Sequence, residues 1–520
     1  MDDPSDDPST SHADMWRDSR QDSQQDRREL AKFGYLEQLQ RSMGWFSSFA
    51  ISFSLISITT GILANFGHGL RAFGPAVIFS WILAVFGQFL VALIVAELVT
   101  RFPISGYGYQ WSSRILSPHV GFFVGWFLLL QFLIGFPAVC GALATYLRDD
   151  VGLPAEYQTL TTLGVVTAIT LIHLVGIRVV SFINDAGVMA EILGCIAIAI
   201  GFLIIWFLHG STSASILLDR TSYPSGEPAT LMGFASSLLL GAWCITGFEG
   251  AADLAEETKQ PRATIPWAVI HSELSSGIGG LVMLIAFMLS IDNLASAQAE
   301  ENPLFSMFQS KLSPGIMRIV MLVIYISILA CGVASMAAAT RLLFAMARDN
   351  MLPASTFLAR IDPKTHSPRE SILLVWLAAC VVVPWLEKVS TLAEVATVAA
   401  YLGYAGIVVS GLVASRPSLA TSPGRSGSSV PSKAGSSSPG RSGLEPSFSL
   451  GRWRWIVGSA ALTWLAFAMF ALTLSGQANG FLTAKATGIC VGIGLILYLV
   501  WIRPRLVSGQ AGPPIRSLEE

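Results

Sequence analysis

Trp243-Cys244-Ile245-Thr246-Gly247-Phe248-Glu249-Gly250 sets two glycines, a hydroxyl and a carboxylate inside an apolar stretch of membrane-crossing length. The chain then leaves through Ala255-Glu256-Glu257-Thr258-Lys259-Gln260-Pro261. In hydrocarbon an unpaired backbone amide costs several kcal/mol, so a helix is interrupted at membrane depth only where protein or a polar cavity surrounds the break. The stretch reads as a helix broken where a solute binds, which is how carriers build substrate sites.

The composition fixes the setting. With 52% hydrophobic residues, 13% charged residues and a mean hydropathy of +0.59, the chain is too apolar for a soluble globular protein, where charged residues supply about a quarter. Crossing about 30 Å of hydrocarbon at 1.5 Å per residue takes roughly 20 apolar residues. Twelve such runs cover 44–67, 76–100, 119–146, 159–179, 187–208, 230–251, 267–290, 315–340, 371–387, 393–414, 455–475 and 482–502, the ninth being the shortest. An all-α polytopic membrane protein with twelve transmembrane helices is expected.

A net charge of −2 conceals an asymmetry. Assigned to alternate sides of the twelve runs, 25 of the 32 Lys and Arg residues fall on the side of the N-terminus, leaving Arg71, Arg148, Arg220, Lys311, Arg318, Lys388 and Lys485 opposite. The positive-inside rule then places both termini in the cytoplasm, and the plasma membrane is the expected location. The polar first forty residues show no cleavable signal peptide, so the first run acts as its own membrane signal.

All six cysteines (Cys140, Cys195, Cys244, Cys331, Cys380 and Cys490) lie in apolar runs, which leaves no disulfide framework or metal-ligand spacing. No Gly-x-Ser-x-Gly, phosphate loop or metal-spaced His pair occurs, so neither an enzyme nor a cofactor-dependent protein is expected. ATP hydrolysis is unsupported, and energy for transport would come from an ion gradient or from exchange.

Five segments follow. Residues 1–29 form an acidic tail, with eight acids against four bases before residue 29, a composition that cannot bury a core. Residues 30–415 carry the first ten spans, preceded by apolar residues at helical spacing (Leu30, Phe33, Leu36, Leu39). These fit either an amphipathic helix on the inner leaflet or an extension of the first span. Residues 416–447 are a Ser/Gly/Pro-rich linker; its basic residues are sparse and lack interleaved aromatics, so no nucleic-acid partner is expected. Residues 448–503 hold the last two spans and 504–520 a C-terminal tail.

The first span concentrates hydroxyls at Ser57, Thr59 and Thr60, followed by Gly61. Two interrupted spans in corresponding positions of two halves point to a carrier site between inverted repeats. The second half of a broken helix presents amide N–H groups suited to a carboxylate, and the first half presents carbonyls suited to an ammonium. The expected substrate-binding set is Ser57, Thr59, Thr60, Gly61, Trp243, Thr246, Gly247, Phe248 and Glu249, with Trp243 and Phe248 offering aromatic faces or packing in the core. Glu191, deep in the fifth run, is the expected coupling residue. A low-dielectric site favours the neutral form of a carboxyl group, and a charge there costs roughly 2.5–3.5 kcal/mol on insertion scales.

Gly34-Tyr35, Ser57-Ile58-Thr59-Thr60-Gly61-Ile62, Ala96-Glu97-Leu98 with Pro103 and Ser105-Gly106, Asn184-Asp185, Thr246-Gly247-Phe248-Glu249, Ala255-Glu256-Glu257-Thr258-Lys259 and Ala347-Arg348-Asp349-Asn350 together resemble the amino acid, polyamine and organocation (APC) superfamily. Within it they are most similar to the amino acid/choline transporter branch of γ-aminobutyrate permease-like proteins. The resemblance implies a five-plus-five inverted-repeat, LeuT-like core with helices 1 and 6 broken, and alternating access. Trp243 is similar to the aromatic that closes over substrate in the arginine/agmatine exchangers, and Glu249 to the glutamate near their gate. Glu191 stands where proton-coupled relatives carry a lysine, an exchange of sign. The expected activity is secondary active transport of a small amino acid or related amine, γ-aminobutyrate-like, with a proton and the lipid bilayer as further partners. Choline or another quaternary ammonium, a polyamine, and a non-transporting nutrient sensor are the alternatives.

Overall fold

The computed structural model describes residues 26–28, 30–35, 41, 43–209, 212–363, 367–385, 388–414, 447–475 and 481–514, the side chains of residues 177–178 excepted. Save for 26–28 and Ser447, the predicted tail over 1–29 and linker over 416–447 lie outside these residues.

Each apolar run falls on helix as far as it is described. The first run is two helices, α1 (Trp45–Ile56) and α2 (Ile58–Phe73), separated by Ser57 alone. A turn at Gly74–Ala76, with Pro75 supplying no amide hydrogen, leads to α3 (Val77–Arg101). A short α4 (Tyr107–Ile115) precedes α5 (Pro118–Val151), α6 (Gln158–Val175) and α7 (Ile177–His209). The sixth run splits into α8 (Leu231–Cys244) and the single-turn α9 (Gly250–Asp253). It is followed by α10 (Pro261–Leu289), α11 (Pro314–Arg348), α12 (Arg369–Trp385), α13 (Val389–Val413), α14 (Arg454–Ser475) and α15 (Leu482–Leu497).

Among the described residues nine helical stretches are long and apolar enough to cross a membrane. That number is smaller than the expected twelve for local reasons. The first stretch, Trp45–Arg101, contains α1, α2 and α3, α8 stops at 14 residues because the chain unwinds after Cys244, and α12 has 17 residues. The protein is an all-helical, multi-pass membrane protein.

Packing places the interrupted helices centrally. Within the bundle, α13 lies along α5, α10 along α3, α2 along α8, and α11 against both α5 and α7, around a large central apolar core with smaller clusters beside it. The Trp81 indole in α3 donates to Gly277 O in α10 at 3.0 Å. Outward faces are the reverse of a water-soluble surface: Phe182 is 74% exposed, Phe207 82% and Val500 71%. Such surface is stable in hydrocarbon and costly in water, at about 25 cal/mol per Å².

At one end of the bundle the described terminal segments meet. Leu30 and Tyr35 are buried with Ile104, so this part of the segment read as a leaflet-lying helix or an extension of the first span packs on protein; Leu36 and Leu39 lie outside the described residues. Gly512 N–H donates to Asp349 O at 2.9 Å, and Arg114 Nη1 reaches Pro514 O at 3.5 Å. Two buried ion pairs lie at the same end, Arg341 with Glu257 at 3.0 Å and Arg348 with Glu256 at 3.3 Å. Asp349 accepts from Tyr35 (2.9 Å), Tyr109 (2.8 Å) and Gln110 (2.8 Å).

Candidate substrate site

The break in the first span is one residue wide. Ser57 has φ 37° and ψ 89°, a left-handed conformation that puts strain on any residue with a Cβ. Its backbone still serves both helices, with N–H donating to Phe53 O and C=O accepting from Gly61 N–H, each at 2.9 Å. The hydroxyl caps α2 by accepting from Thr60 N–H at 3.3 Å and donates to Glu191 Oε1 at 2.8 Å. With the Ser57 proton so used, the Thr60 hydroxyl is the donor in the 2.6 Å contact between them. Thr59 N–H donates to the same Glu191 oxygen at 3.1 Å. A carboxylate from α7 therefore occupies the positive end of α2, as helix-terminus electrostatics favours. Within the hydroxyl-rich stretch from Ser57 to Gly61 the helix is interrupted at Ser57 alone, because this cap lets it resume at Ile58.

The second break is wider. After Cys244 the chain stays non-helical through Glu249. Gly247 has φ 118°, and a Cβ there would meet the side chain and backbone of Leu55. Its neighbours close the gap. Ile245 N–H donates to Gly241 O (2.9 Å), Gly250 N–H to Gly247 O (3.0 Å) and Ala252 N–H to Glu249 O (2.7 Å). Ser52 in α1 spans the second break, donating to Phe248 O at 2.8 Å and accepting from Ala251 N–H at 3.0 Å. The Glu249 side chain is fully buried, accepting from Gln131 Nε2 at 3.0 Å and from the Tyr404 hydroxyl at 2.7 Å.

A cavity of about 500 Å³ of empty space, counting what opens to solvent, lies between the two breaks and α5, α11 and α13. Thr60, Gly61, Trp243, Thr246 and Gly247 of the predicted set line it. Ser57, Thr59, Phe248, Glu249 and Glu191 stand behind them. Phe248 packs 5.4 Å from the Tyr404 ring, which makes it core rather than a face for substrate. Gly61 allows α2 to approach Cys244 closely; any Cβ there would collide with the Cys244 side chain.

Sequence reasoning missed Gln131, Phe132, Phe136, Ser335 and Thr397, which also line the cavity. Gln131 carried a readable signal, an amide inside Leu128-Leu129-Leu130-Gln131-Phe132-Leu133. Glu273 in α10 was missed as well: it is fully buried, and among the described residues neither carboxylate oxygen has a hydrogen-bond partner. Among the described residues His173 Nε2 donates to Val333 O at 3.0 Å, consistent with a packing role. No group of three or more His, Cys, Asp or Glu side chains able to hold a metal ion occurs among the described residues.

The profile of the amino acid permease family matches residues 43–496. The chain belongs to that family. It is 24% identical to the amino-acid permease BAT1 of Arabidopsis thaliana over 84% of this chain and 86% of that protein. It is also 26% identical to the low-affinity putrescine importer PlaP of Escherichia coli K12, over 55% of this chain and 62% of that protein. Similarity to the thiamine transporter thi9 of Schizosaccharomyces pombe is 22% over 72% of each. This permease is a member of the APC superfamily and is a transporter, not an enzyme.

Proposed function

We propose that the permease is a secondary active carrier that moves a small amino acid or related amine, of about γ-aminobutyrate size, by alternating access. The observation that carries this reading is the cavity between two interrupted helices, mostly apolar but lined also by the polar side chains of Thr60, Gln131, Thr246, Ser335 and Thr397 and, among the described residues, by no charged side chain. A carrier needs such a chamber reachable from each side in turn, and helices broken at the site supply both the ligands and the hinges. Similarity to amino-acid permeases and to a putrescine importer supports the substrate class. Ser57, Thr59, Phe248 and Glu249 then act from behind the residues that touch substrate.

Twelve spans in a five-plus-five repeat, with both termini in the cytoplasm of a plasma-membrane protein, fit the meeting of residues 30–35 and 511–514 at one end of the bundle, which requires an even number of crossings. Glu191 carries the coupling proton in this reading. One of its oxygens holds the first break and the other has no partner among the described residues, so protonation loosens the break as it discharges the carboxylate. Trp243, Phe132 and Phe136 favour a quaternary ammonium as the second reading, through attraction of a cation to aromatic faces.

Reconstituted liposomes test the proposal directly. An inwardly directed pH gradient should drive accumulation of the substrate, and Glu191→Gln should abolish accumulation while sparing exchange. Unchanged pH-driven uptake by that variant would refute the coupling role, and binding without flux would make the protein a sensor.

A further inference from the structure

We infer that Glu273 is a second proton-binding residue of the permease, and that Gln88 passes its protonation state on to Thr246 in the cavity wall. The proton site goes beyond the role given to Glu191 above; only its effect on transport rests on the carrier reading.

The inference comes from the seam between α3 and α10. A Cβ at Gly277 would meet Val85 and one at Gly280 would meet Trp81, so the two helices touch in a fixed register. One turn along the same faces, that register sets Gln88 opposite Glu273. Both side chains are fully buried. Among the described residues Gln88 Oε1 and both Glu273 oxygens have no hydrogen-bond partner, and the buried hydroxyl of Ser276, one turn further along α10, has none either. Tyr401 in α13 borders the same spot, within reach of both Gln88 and Glu273, but its hydroxyl donates to Ala242 O at 3.1 Å.

The titratable groups facing Glu273 are Glu249 from the second break, Tyr401 from α13 and Cys244 from α8. Helices α1, α2, α3, α7 and α9 also pack on α10, and among the described residues they bring no cation to it. An ionised carboxylate here would be a lone buried charge, far costlier than the neutral acid. A proton removes that cost and supplies the hydrogen that the seam lacks. A protonated carboxyl has one O–H to donate, and Gln88 Oε1 is the buried acceptor opposite it.

The other end of the same amide points towards the cavity. Gln88 Nε2 donates to Thr246 Oγ1 at 3.4 Å; Thr246 lines the cavity and donates in turn to Ala242 O at 2.7 Å. When Glu273 gives its proton to water, the O–H bond breaks and the carboxylate left behind needs a donor. The Gln88 amide supplies one by turning over. Its N–H then leaves Thr246 and an oxygen takes that place, so the Thr246 hydroxyl gains a second acceptor at the second break.

Infrared spectroscopy of the full-length protein in an ester-free detergent tests the proton directly. At neutral pH Glu273→Gln should remove one protonated-carboxyl C=O band, and Gln88→Leu should move that band to higher frequency by removing its acceptor. Exchange of γ-aminobutyrate, leucine and putrescine in liposomes tests the link to the cavity, with Glu191→Gln as the background. The KM should rise about three- to tenfold, the scale of one hydrogen bond, as the pH is raised until the band disappears; adding Glu273→Gln should hold it level. A carboxyl band unchanged by Glu273→Gln overturns the inference and leaves the carrier reading intact. So does a KM that still rises with Glu273→Gln present, and so does loss of the band when sodium chloride replaces choline chloride, which would make this a sodium site. The expected bands without flux of any compound overturn the carrier reading alone. Should Glu273→Gln not fold, Gln88→Leu decides, and a band that stays in place overturns the inference.

Discussion

The two breaks meet the same requirement by opposite means. In the first, one residue leaves the helix and side chains do the rest: the Ser57 hydroxyl caps α2 and Glu191 arrives from another helix to take the next amide. In the second, five residues leave the helix, Gly247 supplies a backbone angle that side chains resist, and the glutamate that settles there comes from the break itself. Every freed amide in hydrocarbon needs a partner. A narrow break can borrow its partners from side chains, whereas a wide one must fold its own backbone back on itself. The cavity lies where the two solutions face each other.

The difference is sharpest under substitution. Gly247→Val should have the largest effect. It places a β-branched residue at φ 118° and drives a Cβ into Leu55, two penalties of about 1–3 kcal/mol each. Most of the folded protein should be lost, read as a collapse of the monodisperse fraction in detergent; normal recovery would mean that the second break tolerates a different backbone. Glu191→Leu should come next, costing about 1–3 kcal/mol because the Ser57 hydroxyl and Thr59 amide lose their acceptor. Glu191→Gln keeps an acceptor and should recover most of that loss in thermal unfolding. Equal destabilisation by Leu and Gln would show that the negative charge at the end of α2, not the hydrogen bonds, secures the first break. Tyr404→Phe removes one of two donors to Glu249 and should cost about 1–2 kcal/mol while leaving the first break's response to Glu191 variants unchanged.

The second break was legible in the sequence because glycines and a carboxylate interrupt an apolar run, and chemistry of that kind is local. Most helix positions were legible for a similar reason, since length and hydropathy are properties of a segment. The first break was less legible, because its hydroxyls mark polar density without saying which residue leaves the helix; that depends on Glu191, 134 residues away. Whether Phe248 offers a face to substrate or packs in the core was left open by the sequence, because ring chemistry is visible there and ring direction is not. Gln131 shows the converse. Its polarity inside α5 stood out, but its role depends on Glu249 claiming one end of the amide, a contact across 118 residues. What the cavity presents to substrate is set by which polar atoms are already used, and that is a property of the packed bundle.

The smallest expected effect separates backbone from side chain at Ser57. In the left-handed region a Cβ costs roughly 1–2 kcal/mol, and the hydroxyl cap returns about 1 kcal/mol. Ser57→Ala keeps the strain and loses the cap, so it should destabilise by at least about 1 kcal/mol. Ser57→Gly loses the cap but also the strain, so its unfolding midpoint should lie close to that of the unaltered protein and above that of Ser57→Ala. If the glycine variant is as unstable as the alanine one, hydroxyl chemistry alone holds the first break. If it matches the unaltered protein, the two breaks share a backbone logic after all, one using glycine and the other a serine that imitates it.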